Sequence, residues 1–220
     1  MFTSQKHVFW QALVITIIVF SIGILFGVIL ENYRTNKVNN LVAESELSLM
    51  DIRLQNQIYS SIKFNCENAI SENLKFADRT YEEAKLLERY EQATVITDDL
   101  KTSHKKYDLL RATLLLNSII IREKCNSSYS EVVYFYKYNN PDMDLKAKES
   151  VFSKLLSELK QNKGDSILLI PIAADNNLSS VNLLLDKYDV SEKDLPIIII
   201  NGKTRITEIE SIDDLMKRVK

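Results

Sequence analysis

The sequence predicts an α+α/β protein in three parts: an N-terminal transmembrane helix, a long helical stalk or three-helix bundle, and a C-terminal α/β domain. Three observations predict it. Val8–Leu30 is a 23-residue run without a charge, long enough to cross a bilayer as one helix. No glycine or proline stands between Gly27 and Pro141, so neither strong helix breaker occurs across that stretch. After Ser130 the hydrophobic period changes, and short β-branched and aromatic runs alternate with helical stripes. The expected boundaries are 1–7 for a short cytoplasmic tail, 8–30 for the membrane helix, 31–125 for the stalk and 130–220 for the C-terminal domain.

The apolar run reads as an uncleaved signal-anchor. A signal-peptide core is shorter and ends in a small-x-small site. Cleavage at Ser21-Ile22-Gly23 would leave ILFGVIL exposed at the new terminus. Trp10 and Tyr33 fit interfacial aromatics at the two ends. Gly23 and Gly27 form a G-x-x-x-G, a pattern that lets two membrane helices approach and marks a candidate dimer face. Lys6 before the span is nearly balanced by Arg34 and Lys37 after it, so the positive-inside rule decides little. The cysteines favour a cytoplasmic N-terminus and an extracytoplasmic C-terminal part at the cell membrane.

Between Asn32 and Cys125 the pattern is helical. Val38, Val42, Leu49, Ile52, Tyr59, Ile62, Cys66, Ile70 and Leu74 recur at three- and four-residue steps, one apolar stripe on a stalk of coiled-coil character. The stripe loses phase near Asp78, where Asp78 and Thr80-x-x-Glu83 suit a new helix start. Thr102-Ser103-His104 could cap a third helix; the alternative is one unbroken helix from about Arg79 to Lys124.

Geometry separates these alternatives. An unbroken antiparallel partner carries Cys125 roughly 50 Å from Cys66 at 1.5 Å per residue. A turn near Thr102 brings the two within about two helical turns. A Cys66–Cys125 disulfide therefore demands three helices, and closing a loop of about 59 residues is worth about 4 kcal/mol in the chain-entropy model. These are the two cysteines of the chain. Their pairing implies an oxidising compartment. The sequons Asn126-Ser127-Ser128 and Asn177-Leu178-Ser179 point the same way as candidate glycosylation sites.

Composition excludes several classes. Net charge is −2, without the basic stripe of a nucleic-acid binder. Lys101, Lys105 and Lys106, like Lys217, Arg218 and Lys220, read as solvated helix faces. His7 and His104 read as exposed side chains; neither has partners at metal-ligand spacing. There is no Ser/His/Asp set and no phosphate loop. No catalytic residue, metal, cofactor or small-molecule ligand is indicated.

In the C-terminal part, Glu131–Tyr138 reads as a strand and Asn139-Asn140-Pro141-Asp142 as a turn. Leu145, Phe152, Leu155, Leu156 and Leu159 stripe a helix that ends before Gly164. Ser166–Ile170 is a buried strand, and Leu178–Tyr188 a second helix. Ile197–Ile200 is a strand, Asn201-Gly202 a type I′ hairpin signal, and Lys203–Thr207 the return. Ser211-x-x-Asp214 opens a last helix. Asp142 and Asp144 near the first helix start read as caps rather than as an acid–base or cation pair.

This β-α-β-α-β-β-α order, with Tyr188-Asp189-Val190 leading to Leu195-Pro196-Ile197, resembles the thioredoxin fold over about 90 residues. The resemblance implies a cis-proline at Pro196, just before the third strand, and a groove beside Leu195, Pro196 and Ile197. It also marks a departure. Thioredoxin-like oxidoreductases carry a cysteine where the first strand meets the first helix, as a thiolate held by the helix N-terminus. Here Tyr138-Asn139-Asn140-Pro141-Asp142-Met143 stands there, and no residue in it can exchange thiols. The whole layout also resembles uncharacterised single-span membrane proteins of archaea that join an anchor, a helical region with a Cys near each end and a thioredoxin-like domain.

The expected function is thus a membrane-anchored, extracytoplasmic, non-catalytic thioredoxin-like protein that binds a protein partner or further copies of itself. The alternative is a thiol–disulfide redox protein or accessory using Cys66 and Cys125. Placement of Cys66 on the apolar stripe argues against its exposure.

Overall fold

The protein is described by a computed structural model that covers residues 5–92, 98–125 and 129–219. It divides into two compact units, Met1–Glu44 and Ser45–Lys220.

The first unit lies in helix α1 (Gln5–Ser61). Within it Val8–Tyr33 is long and apolar enough to cross a membrane, and none of that span is buried by the protein. Length and composition of this kind suit a membrane anchor or a signal sequence. A methyl group added at Gly23 or Gly27 meets nothing within 4 Å, so the G-x-x-x-G face is open.

The second unit is mostly helical and carries a small mixed sheet. The last turns of α1, helix α2 (Cys66–Gln92) and helix α3 (Asp98–Lys124) share a hydrophobic core through Ile52, Phe76, Leu110 and Leu115. Polar ties add to it: Asn56 donates to the Asn117 side chain at 2.7 Å, and Lys124 Nζ donates to the Tyr59 carbonyl at 2.6 Å.

Two helix starts differ from expectation. No break occurs at Asp78; the chain turns at residues 62–65 instead. Asn65 supplies the cap, its side chain accepting from the Asn68 N–H at 3.0 Å and its carbonyl from the Ala69 N–H at 3.0 Å. Asparagine thus starts a helix after a turn that contains neither glycine nor proline. The apparent phase loss near Asp78 is a widening of the buried stripe, since Phe76 and Ala77 are adjacent and both buried. Asp78 itself pairs with Lys160 at 3.1 Å. Thr102 and Ser103 also lie inside a helix, because α3 starts at Asp98 and Ser103 is buried. Helices α2 and α3 pack on each other, which removes the unbroken alternative. Residues 93–97 lie outside the described residues.

The remaining elements are β1 (Ser130–Tyr136), α4 (Met143–Lys163), β2 (Ile167–Ala173), α5 (Ser179–Lys187), β3 (Ile197–Ile200), β4 (Thr204–Ile206) and α6 (Ile212–Arg218). The sheet order is β2-β1-β3-β4. β1 pairs parallel with β2 and antiparallel with β3, and β3 pairs antiparallel with β4. Alternation sorts the strands cleanly. Val133, Phe135, Leu168, Ile170 and Ile172 face the helical layer of α2, α3 and α5. Val132, Tyr134, Ile167, Ile198 and Ile200 face α4 and α6. The helices and the sheet therefore share a core across residues 125–130, where the sequence suggests a domain boundary.

Local signals terminate the elements as read. Gly164 ends α4 at φ 52°, and Asn201 and Gly202 turn the β3–β4 hairpin at φ 53° and 68°. Ser211 caps α6, accepting from the Asp214 N–H at 3.2 Å. Lys217 pairs with Asp214 and Arg218 with Glu210.

Two buried carboxylates fix α3 to the sheet. Near the middle of α3, Asp108 accepts from the Ala173 N–H of β2 at 3.2 Å and from the Asn176 amide, with Arg111 at 3.6 Å. In its C-terminal part, Ser118 and Arg122 donate to Glu131 of β1 at 2.9 and 3.2 Å. Burial pushes both carboxyls above their ordinary values, and the facing arginines only partly offset it. The folded state then holds protons that the unfolded chain has released. Stability is expected to fall as pH rises from the ordinary 3.8 and 4.5 through the raised values, and to level off above them. Urea unfolding of the full chain across this range should show that slope, and the double variant Asp108→Asn, Glu131→Gln should lack it.

Candidate functional site

The site expected from the resemblance lies where β1 passes into α4. Its backbone is held by the chain's own carboxylates. Asp175 accepts from the Tyr138 N–H at 2.7 Å and from the Asn139 N–H at 2.9 Å. Glu149 accepts from the Lys137 N–H at 2.9 Å and from the Asn140 amide at 3.3 Å. Asp142 caps α4, accepting from the Asp144 and Leu145 N–H groups at 2.9 and 3.2 Å. These amides would otherwise be the donors that steady an anion at the helix start. Asp142 and Asp144 are accordingly a cap and a first-turn carboxylate.

The Leu195–Pro196 peptide is cis. Leu195 borders a cavity of about 480 Å³ with Lys137, Asp175, Asn177 and Glu192. Pro196 and Ile197 are buried and are not among its lining residues. Lys137 pairs across the cavity wall with Glu192 at 3.6 Å. The charges here are thus largely spent on the protein itself.

The Cys66 and Cys125 sulfurs stand at bonding distance, 1.95 Å, with their Cα atoms 5.7 Å apart. Cys125 is buried against Tyr59, Ala69 and Ile121. Cys66 is exposed, contrary to its place on the apolar stripe. The reason is the turn at 62–65, which makes Cys66 the first residue of α2 instead of a mid-helix position. Asn177 is exposed at φ 53°, immediately before α5. Asn126 lies outside the described residues, as does the side chain of His7. Among the described residues no group of three His, Cys, Asp or Glu side chains could hold a metal ion.

A second cavity, of about 490 Å³, was not foreseen. It opens beside edge strand β2, between α4 and the α2–α3 pair. Five tyrosines line it: Tyr81, Tyr107, Tyr134, Tyr136 and Tyr138. Tyr134 and Tyr136 lie almost parallel, 5.3 Å apart at 15°. Their shared face follows from the period of two in Tyr134-Phe135-Tyr136-Lys137-Tyr138, a signal visible in the sequence. His104 lies against Tyr138 at 3.9 Å between ring centres and is half-buried, so it is not the exposed side chain expected. The Tyr134 hydroxyl donates to the Glu149 carbonyl at 3.3 Å, and burial raises its pKa well above that of a free phenol. Lys85, Arg111 and Lys154 complete the charge of the wall.

No protein-family model and no curated protein matches this chain. One solved structure, described as "Structure of a malarial protein", matches at 24% identity with a TM-score of 0.31. The match covers 41% of this chain and 92% of that one.

Two measurements test this description. Asp175→Ala should cost about 2 kcal/mol, the scale of hydrogen bonds to a charged acceptor, and should speed amide exchange at Tyr138 and Asn139. Reduction of the Cys66–Cys125 pair should lower the midpoint of thermal unfolding by about 8–16 °C, given about 4 kcal/mol for the loop and the usual scaling for this size.

Proposed function

We propose that this chain is a membrane-anchored, extracytoplasmic binding protein whose C-terminal region is a non-catalytic thioredoxin-like domain. The observation that carries the reading is the β1–α4 loop. It has no thiol, its amides are taken by Asp175 and Glu149, and its helix start is capped by Asp142. The sheet order β2-β1-β3-β4, with α4 and α6 against one face and α5 against the other, supports the thioredoxin-like assignment. The uncovered span Val8–Tyr33 supports an anchor, and the paired cysteines support an oxidising compartment. The helical layer from Ser45 to Lys124 would serve as stalk and bundle, with a protein partner or a second copy as the bound species.

Protease applied to intact cells that express the full chain tests the placement. Digestion of the folded unit before lysis is the expected result. Survival of that unit until lysis would put it in the cytoplasm and remove the reading.

The exposure of Cys66 at the start of α2 favours one second reading, a thiol–disulfide role for the pair. A helix N-terminus lowers a thiol pKa and makes the thiolate a better leaving group. Equilibration of the full chain in glutathione buffers, followed by alkylation and mass spectrometry, separates the two. A potential below about −300 mV fits a structural bond, and opening near about −200 mV fits a redox role.

A further inference from the structure

The tyrosine cavity beside β2 has the composition of a ligand site. Half of the chain's ten tyrosines face it. At about 490 Å³ it falls in the range of pockets that enclose small molecules. Every charged side chain on its wall is cationic: Lys85, Arg111 and Lys154, with no carboxylate among the described lining residues. Arg111 faces buried Asp108 at 3.6 Å. Among the described residues no carboxylate pairs with Lys85 or Lys154, and both lysines are exposed. The cavity wall therefore carries cationic side chains beside a floor of ring faces, with Glu149 and Glu83 behind Tyr134 and Tyr107.

The wall also argues against a peptide strand as occupant. β2 is an edge strand, and a bound strand would need its donors in an unbroken row. Pro171 sits within β2 and lines the cavity, and proline has no N–H to give. Ring faces and cations, in contrast, match a compact ligand that is flat and negatively charged. Tyr136, backed by the nearly parallel ring of buried Tyr134, offers stacking to a planar or pyranose ring, and the lysines offer partners for its anionic group.

We infer that this cavity binds a small ring-bearing anion, a carboxylate or phosphate carried on a sugar or an aromatic ring, with Tyr136 and Tyr138 as the ring platform, Tyr134 supporting Tyr136 from behind, and Lys85 and Lys154 as the anion contacts. This goes beyond a protein-binding role and does not depend on it. The site adjoins the β1–α4 loop through Tyr136 and Tyr138, and needs no redox step.

Calorimetric titration of the full chain in detergent micelles tests the inference. The probes are a galacturonate dimer and phenyl phosphate, with maltose and phenol as their neutral counterparts. At least one anion should bind with a Kd below about 1 mM, a range typical of small ligands. Its neutral counterpart should bind at least tenfold more weakly, and added salt should weaken the anion. Lys154→Glu, at an exposed position, should weaken the anion at least tenfold while leaving thermal unfolding unchanged; Lys85→Glu should do the same independently. Preference for the galacturonate dimer assigns the ring to a saccharide, and preference for phenyl phosphate assigns it to an arene. Absence of binding by both anions, equal binding of charged and neutral probes, or indifference to both lysine variants would overturn it.

Discussion

The attachment of α3 to the sheet is the interaction on which the rest of the second unit depends. A helix lying on a sheet can slide along it when only apolar side chains meet, because burial has no direction. Here Asp108 and Glu131 supply direction at two points, near the middle of α3 and in its C-terminal part. Each is buried, and each would be costly without its partners; removing one partner of such a pair costs about 3–5 kcal/mol. Register along the strands is thereby set to the residue, and α2 and α5 pack against an α3 that cannot shift.

The same constraint shapes both cavities. Because Asp108 reaches the end of β2 at Ala173 and Asn176, the chain leaving β2 is brought to Asp175, which takes the amides of the β1–α4 loop. Arg111, one turn along from Asp108, is turned toward the tyrosine cavity as well as toward its carboxylate. One helix thus helps place the carboxylate that holds the β1–α4 loop and furnishes one wall of the tyrosine cavity.

Much of the sheet was legible in the sequence because its signals are local. Alternation in Val132–Tyr136, Asn201-Gly202 at the hairpin, Gly164 after α4 and Ser211 before α6 each specify one feature through neighbouring residues. The helical layer was less legible. The turn at 62–65 uses Asn65, a weaker and commoner signal than glycine or proline, and the shift it produces moved Cys66 from the middle of a stripe to a helix start. The tyrosine cavity was hidden for another reason. Its residues come from α2, α3, β1, β2 and α4, and only tertiary contact brings Tyr81 and Tyr107 to the ring face formed by Tyr134, Tyr136 and Tyr138.

The disulfide has a mechanical side. Traced through covalent bonds, the shortest route from α1 to β1 does not run through α2 and α3. It crosses from Cys66 to Cys125, five residues before β1 begins at Ser130. If α1 were held and the sheet pulled, tension along the chain would take that shortcut and bypass the covalent path through α2 and α3, the two helices that line the tyrosine cavity.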